Sequence, residues 1–264
     1  MQRRQFLAAT LATSALAVAR ATDAQAHPAR SREFYQIRRY QLQSGPQTSL
    51  TERYIADALI PAVTRRGMGP VGAFRLEFGP ESPAYYVLIP APSAEALATL
   101  DLELAHDDEF LKVADPFWAA PAAAAPFLRV EYSLLSAFEG WPRIMPPPAA
   151  ATKAKRIFQL RTYESPSHRD HVRKVEMFNA GEFDIFTASG FHNVFFGDTL
   201  IGTRMPCLTY MLSMTDATEM DKFWDAFRND PNWKKLSSDP KYAFEPIVNS
   251  ISNLVLSPLS SSQI

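Results

Sequence analysis

The chain has 264 residues, 47% hydrophobic and 21% charged, with a formal net charge of −1. That length allows one or two domains, and the balanced charge without a basic stripe argues against a nucleic-acid partner. Cys207 is the single cysteine, which excludes an intramolecular disulfide.

Residues 1–26 read as an export signal rather than as fold. Arg3 and Arg4 precede Gln5-Phe6-Leu7, an Ala-rich apolar run extends to Ala19, and Ala24-Gln25-Ala26 offers a small-x-small cleavage site. The RRQFL stretch resembles the twin-arginine export motif; an ordinary secretory signal with two basic residues is the other reading. Either predicts cleavage near Ala26 and a periplasmic or secreted protein. The run is too short and too rich in Ala and Thr to span a bilayer, and no other stretch could, so no membrane span is expected in the mature chain. Residues 27–33 are expected to form a polar, flexible tail. His27 would become the new N-terminus, where amine and ring together can bind copper, but no second histidine is paired with it.

Alternation in Tyr35–Tyr40, YQIRRY, predicts a first strand over Phe34–Leu42, with Gln36, Arg38 and Tyr40 on one face. Helical spacing follows over Thr48–Arg66, with Pro61 expected to kink or split it and Gly67 and Gly69 to end it. Strands are predicted over Val71–Phe78 and Ala84–Ile89. Ser93 caps a helix to Ala105, a second short helix covers Asp107–Trp118, and an Ala/Pro connector leads to a strand over Phe127–Phe138. Gly140–Ala154, with three consecutive prolines, reads as a semi-rigid extended linker.

The order then repeats. Strands are predicted over Ile157–Tyr163, His192–Gly197, Cys207–Met214 and Ile247–Leu256. Helices are predicted over Ser167–Ser189, Asp216–Phe227 and Pro231–Ser238. FQLRTY, Phe158–Tyr163, nearly repeats YQIRRY at an offset of 123 positions. The same offset takes Gly67 to Gly190, Val71 to Val194, Pro83 to Pro206, Asp107 to Asp230 and Phe110 to Trp233. The chain therefore reads as one unit written twice: residues 34–139 and 155–258, joined by 140–154, with 259–264 a C-terminal tail. Each unit is β-α-β-β-α-β, the ferredoxin-like order. The fold class is α+β, two tandem ferredoxin-like repeats packed sheet to sheet as a pseudo-twofold α/β barrel. Sheet edges left open by such packing could pair between chains in a homo-oligomer.

These residues are similar to those of the NIPSNAP family. The R-x-Y strand is Arg161-Thr162-Tyr163, the Gly-x-x-x-Val strand Gly190–Val194, the Pro-started apolar strand Pro206–Met211, and the D-x-x-W/F step Asp230–Trp233. The first unit carries Arg38-Arg39-Tyr40, Gly67–Val71, Pro83–Leu88 and Asp107–Phe110. The resemblance covers essentially the whole mature chain and implies the dimeric α/β-barrel superfamily. That superfamily includes small monooxygenases, haem-handling enzymes and proteins that only bind small ligands, so the resemblance implies no single activity.

Arg38, Tyr40, Arg161 and Tyr163 are the candidate ligand-binding residues. If their strand faces line the cleft between sheets, they offer a cationic and phenolic lining suited to a carboxylate or enolate-like ligand. Structural ion pairing and packing are the alternative, which their presence in both units favours. His192, in GFHNVFF, has no counterpart in the first unit and is the candidate acid, base or haem ligand. His168 and His171, three apart at a helix start, could contribute to a metal site that lacks an evident third ligand. His106 reads as a helix-end residue. Phe178, Phe183, Phe186, Phe191, Phe195 and Phe196 read as core before pocket, and Cys207 as an inert buried thiol. No cofactor motif is present, although haem or metal stays open. The reading is a barrel that binds a small apolar or aromatic ligand or a protein partner. The alternative is a cofactor-poor monooxygenase-like or isomerase-like enzyme using His192 with Arg161 and Tyr163.

Overall fold

The computed structural model describes residues 32–43 and 45–264. The predicted export signal, His27 and most of the predicted N-terminal tail lie outside them. The first half runs β1 (Phe34–Gln41), α1 (Pro46–Arg53), a π-helical turn (Tyr54–Leu59), α2 (Ile60–Arg65), β2 (Gly72–Phe78), β3 (Ala84–Ala91), α3 (Ala94–Ala98), α4 (Leu100–Leu104), α5 (Asp108–Trp118) and β4 (Arg129–Ala137). After α6 (Pro148–Thr152) come β5 (Ile157–Glu164), α7 (His168–Met177), a kinked turn (Phe178–Glu182), α8 (Phe183–Ala188), β6 (His192–Ile201), β7 (Cys207–Met214), α9 (Ala217–Asn229), α10 (Pro231–Ser237), α11 (Phe244–Ile247) and β8 (Ser250–Pro258). The 123-residue offset is structural: it carries the bounds of β1 onto those of β5 and the bounds of β3 onto those of β7.

The eight strands close a barrel in the order β1-β3-β2-β8-β5-β7-β6-β4, and every pairing is antiparallel. Each half contributes the ferredoxin-like order, and the β2–β8 and β4–β6 ladders seal the seams. The alternation of antiparallel neighbours makes β1 and β5 run the same way, so the pseudo-twofold axis lies along the barrel. Closure gives every strand two neighbours. Among the described residues no strand edge is left open, so pairing between chains through such an edge has no place in this sheet.

Two faces per strand produce three cores. Tyr35, Phe74, Phe158, Leu160, Phe195 and Met211 meet inside the barrel, where Phe74 and Phe158 pack edge to face at 4.8 Å. The opposite faces lie under helices. Tyr40, Tyr85 and Val87 pack on α2 to α5 in the first half. Tyr163, Tyr210 and Leu212 pack on α8 and α9 in the second. That double covering is why β3 and β7 are buried at every position. It also explains their largely apolar sequences, interrupted in β7 by Thr209 and Ser213. The predicted phenylalanine core holds: five of the six named rings join the second helix layer. Phe195 turns into the barrel, because a bulge between Asn193 and Phe195 inserts one residue and shifts the alternation.

Several predicted boundaries change. The long helix of the first half contains a π-helical turn that ends two residues before Pro61. Proline has no N–H to donate, and the wide turn absorbs that loss without breaking the helix. The predicted Ser167–Ser189 helix of the second half breaks at Gly181, whose φ of 144° is not helical. The predicted Ser93–Ala105 helix pauses at Thr99, although Ser93 does cap it by accepting from Ala96 N. The linker is no free spacer: Ile144 is buried in the barrel core, and Met145 N donates to Val194 O at 2.8 Å. The predicted C-terminal tail is folded too. Ile264 is fully buried inside the barrel, and the Arg156 guanidinium donates to its carbonyl at 2.9 Å.

A candidate ligand pocket under the first helix layer

The candidate site is built on the β1 face that carries Gln36, Arg38 and Tyr40. This face looks at helices and not into the barrel, so the condition set for a cleft between sheets is not met. Gln36 donates to Leu97 O of α3 at 2.8 Å and accepts from Arg38 Nε at 2.6 Å. Arg38 is 1% exposed, and its Nη1 lies 2.8 Å from Asp101 Oδ1 of α4. Its guanidinium also sits 4.7 Å over the ring of Tyr132 on β4. Tyr132 in turn donates to Asp101 Oδ2 at 2.6 Å. A buried guanidinium needs such a partner, because an unpaired charge is costly away from water. One of its donors, Nη2, has no hydrogen-bond acceptor.

Above this floor lies a cavity of about 400 Å³ walled by Tyr40, Tyr54, Phe117, Trp118, Phe127 and Val130, with Asp101 and Tyr132 at its polar end. The π-helical turn starts at Tyr54 and the last turn of α5 carries Phe117. Their rings stack at 4.0 Å with an interplanar angle of 4°. Trp118 Nε1 donates to Tyr54 OH at 3.1 Å. Burial raises the phenol pKa values of Tyr40, Tyr54 and Tyr132, so all three remain neutral donors at ordinary pH. Charge is balanced within the site, and its walls are aromatic.

The second half answers the same positions differently. Arg161 Nη2 donates to Tyr163 OH at 3.2 Å, and the Tyr163 and Tyr210 hydroxyls lie 2.8 Å apart. The 123-residue offset takes Asp101 to Trp224, whose ring receives the Arg161 guanidinium at 4.3 Å. Negative charge comes instead from Glu182 beside the Gly181 kink, 2.6 Å from Lys174 Nζ, with both side chains almost wholly buried. Burial lowers the Lys174 pKa and raises that of Glu182, while their pairing acts against both shifts.

The histidines separate. His192 Nε2–H donates to Met145 O at 2.9 Å, while neighbouring Asn193 turns under α8 to donate to Phe183 O. The bulge after Asn193 reverses the alternation ahead of Phe196, which faces the helices as Arg161 and Tyr163 do. His192 thus lies on the other face of the sheet from that Arg–Tyr pair, and the two do not form one constellation. His171 hydrogen-bonds Asp198 at 2.6 Å, whereas His168 is exposed. Among the described residues no group of three or more His, Cys, Asp or Glu side chains could hold a metal ion. His106 Nδ1 meets Leu102 O at a helix end. Cys207 is buried, burial raises its thiol pKa, and it borders a separate cavity at one mouth of the barrel.

Sequence reasoning named Arg38 and Tyr40 but missed Asp101, Tyr132 and the aromatic wall. A signal existed in the dense cluster Pro116-Phe117-Trp118, yet only tertiary packing brings it to Tyr54. The carboxylate of Asp101 gave none, since acidic residues on short helices are common.

Residues 158–263 match the NIPSNAP family model. No curated protein matches the chain by sequence. Among solved structures, a candidate monooxygenase from Lactobacillus acidophilus superposes with a TM-score of 0.54 at 11% identity, over 86% of this chain and 94% of that one. A candidate monooxygenase from Fusobacterium nucleatum gives 0.56 at 10% identity, over 88% and 94%. An anthrone oxidase-like protein gives 0.53 at 9% identity, over 88% and 93%. At such identities the likeness shows a shared fold and leaves chemistry open.

Proposed function

We propose, starting from a barrel whose second half matches the NIPSNAP family model, that the protein binds a small, neutral aromatic molecule under its first helix layer. The observation that carries the reading is the stacked Tyr54–Phe117 wall above the Arg38–Asp101–Tyr132 floor. An apolar cavity with a few convergent polar groups is the usual form of a small-molecule site. The rings supply area, and the floor supplies orientation through a hydroxyl or carbonyl on the ligand. Because Asp101 already neutralises Arg38, a carboxylate on the ligand gains little.

Titration of the full chain with 2-naphthol, followed by tryptophan fluorescence and calorimetry, tests this. Saturable binding is expected, with 2-naphthoate binding more weakly. Ala120→Trp, which fills the cavity from the connector, should abolish it. Saturable binding that survives Ala120→Trp, or no binding at all, sinks the proposal.

The structural neighbours described as monooxygenases motivate the enzymatic alternative. His192 does not join Arg161 and Tyr163, so binding without turnover is the reading we carry. We also place the mature protein outside the cytoplasm, on the strength of residues 1–26. The intact mass of the protein from an export-competent host tests that, and an N-terminus retained at Met1 would rule it out.

A further inference from the structure

The barrel is closed by packed side chains over much of its length, but one mouth holds a cavity of about 300 Å³. It lies at the end marked by the β2–β3 and β6–β7 hairpins. It is separate from the aromatic pocket: the two share no lining residue. A volume of this size equals about ten waters, or a ligand of comparable non-hydrogen atom count.

One wall is a set of hydroxyls. Thr162 Oγ1 and Thr209 Oγ1 lie 2.9 Å apart across β5 and β7, and Thr199 and Ser133 stand beyond them. Thr199 is only 5% exposed, and its Oγ1 meets no oxygen or nitrogen, only the weakly accepting thiol of Cys207 beside it. A buried hydroxyl with only a thiol to donate to is poorly satisfied, and a ligand oxygen reaching it would be the better acceptor. Arg39 supplies the unmet group. Its Nη1 donates to Glu131 at 2.9 Å and its Nη2 pairs with Glu81, while its buried Nε has no acceptor. The facing wall is apolar, with Ile37, Leu160 and Leu254.

Charge decides the class of ligand. Arg39 is neutralised by Glu81 and Glu131, and Arg204 pairs with Ser252 and lies 3.7 Å from Glu164. No uncompensated cation remains for an anion, and Glu131 would repel one. Several hydroxyls, one unmet and one poorly met donor, and one apolar wall fit a neutral molecule with many hydroxyl groups on a short carbon frame.

We infer that the barrel mouth is a binding site for a small neutral polyol or sugar-like molecule. Xylitol is the probe, and saturation-transfer NMR on the full chain is the measurement, with xylonate as the charged counterpart. Xylitol should give saturable transfer and xylonate should bind at least severalfold more weakly. Thr199→Val keeps shape and removes the poorly satisfied hydroxyl, so it should weaken xylitol binding roughly three- to tenfold, the usual effect of one hydrogen bond. Leu254→Trp fills the cavity from the opposite wall and should abolish the signal. An unchanged melting temperature checks that each variant is folded. Absence of xylitol transfer in the wild type overturns the inference. So does binding that survives Leu254→Trp, or binding that favours xylonate. This result is independent of the aromatic pocket, because Ala120→Trp should leave xylitol binding intact.

Discussion

Asp101→Asn tests the logic of the aromatic pocket most directly. The substitution keeps size and hydrogen-bonding capacity and removes the charge facing Arg38, which is 1% exposed and 2.8 Å from the carboxylate. At about 4 Å and an effective dielectric near 20, such a pair interacts by about 4 kcal/mol. Breaking a fully buried pair costs about 3–5 kcal/mol. Asp101 is 37% exposed, so solvent screens part of that, and a loss of about 1–3 kcal/mol is expected. Urea unfolding should show a lower midpoint with an unchanged slope. The same change leaves a buried guanidinium seeking an anion at the pocket floor. Asp101→Asn should therefore gain affinity for 2-naphthoate over 2-naphthol by tenfold or more. Wild-type stability together with unchanged ligand preference would refute the account, because Arg38 would then owe nothing to Asp101.

Three further outcomes follow from the geometry. Lys174→Met strands the buried Glu182 carboxylate and should cost about 3–5 kcal/mol, while Lys174→Met with Glu182→Leu should recover most of it; equal losses in urea melts would contradict this. Asp107 accepts from Phe110 N and faces Arg66 and Arg65, which hold its pKa down to about 2. Its contribution is then complete above about pH 4, the ordinary aspartate range, and lost as pH falls through about 2. The stability gap between wild type and Asp107→Asn, measured by acid titration of unfolding, should shrink over that interval and stay level above it. Ile264→Ala empties a fully buried position inside the barrel and should cost about 2–5 kcal/mol by thermal or urea unfolding.

The fold was largely legible because it is written in short-range periodicity. Alternation in YQIRRY and FQLRTY set strand faces correctly, and their 123-residue offset carries β1 onto β5 and β3 onto β7 to the residue, while the other two strand pairs differ by a few residues. Alternation does not say which face meets helices and which meets the barrel, so whether Arg38 and Tyr40 line the cleft between sheets could only be posed as a condition, which the helix layer over β1 does not meet. Ile144 and Ile264 looked like linker and tail because their burial depends on strands far away in the chain. The π-helical turn of the first half was similarly invisible: Pro61 announced a disturbance, but packing decided that the helix widened instead of ending. At the site, Arg38 was found through its repeat partner, while Asp101 has none. Comparing the halves also flagged His192 as a difference, but it could not tell which of many differences, Asp101 against Trp224 among them, sits in a pocket.

The same difference has a consequence for how such a molecule can change. In a barrel assembled from two identical chains, each substitution lands twice, once on either side of the axis. Here the two halves are covalently joined, and equivalent stations hold Asp101 against Trp224, Arg39 against Thr162, and Glu81 against Arg204. One layer can keep an opening while its mate fills with tryptophan, and one hairpin can carry an acid where the other carries a base. A single polypeptide thus relieves this scaffold of the obligation to solve every problem in duplicate, and leaves one half free to support what the other half does.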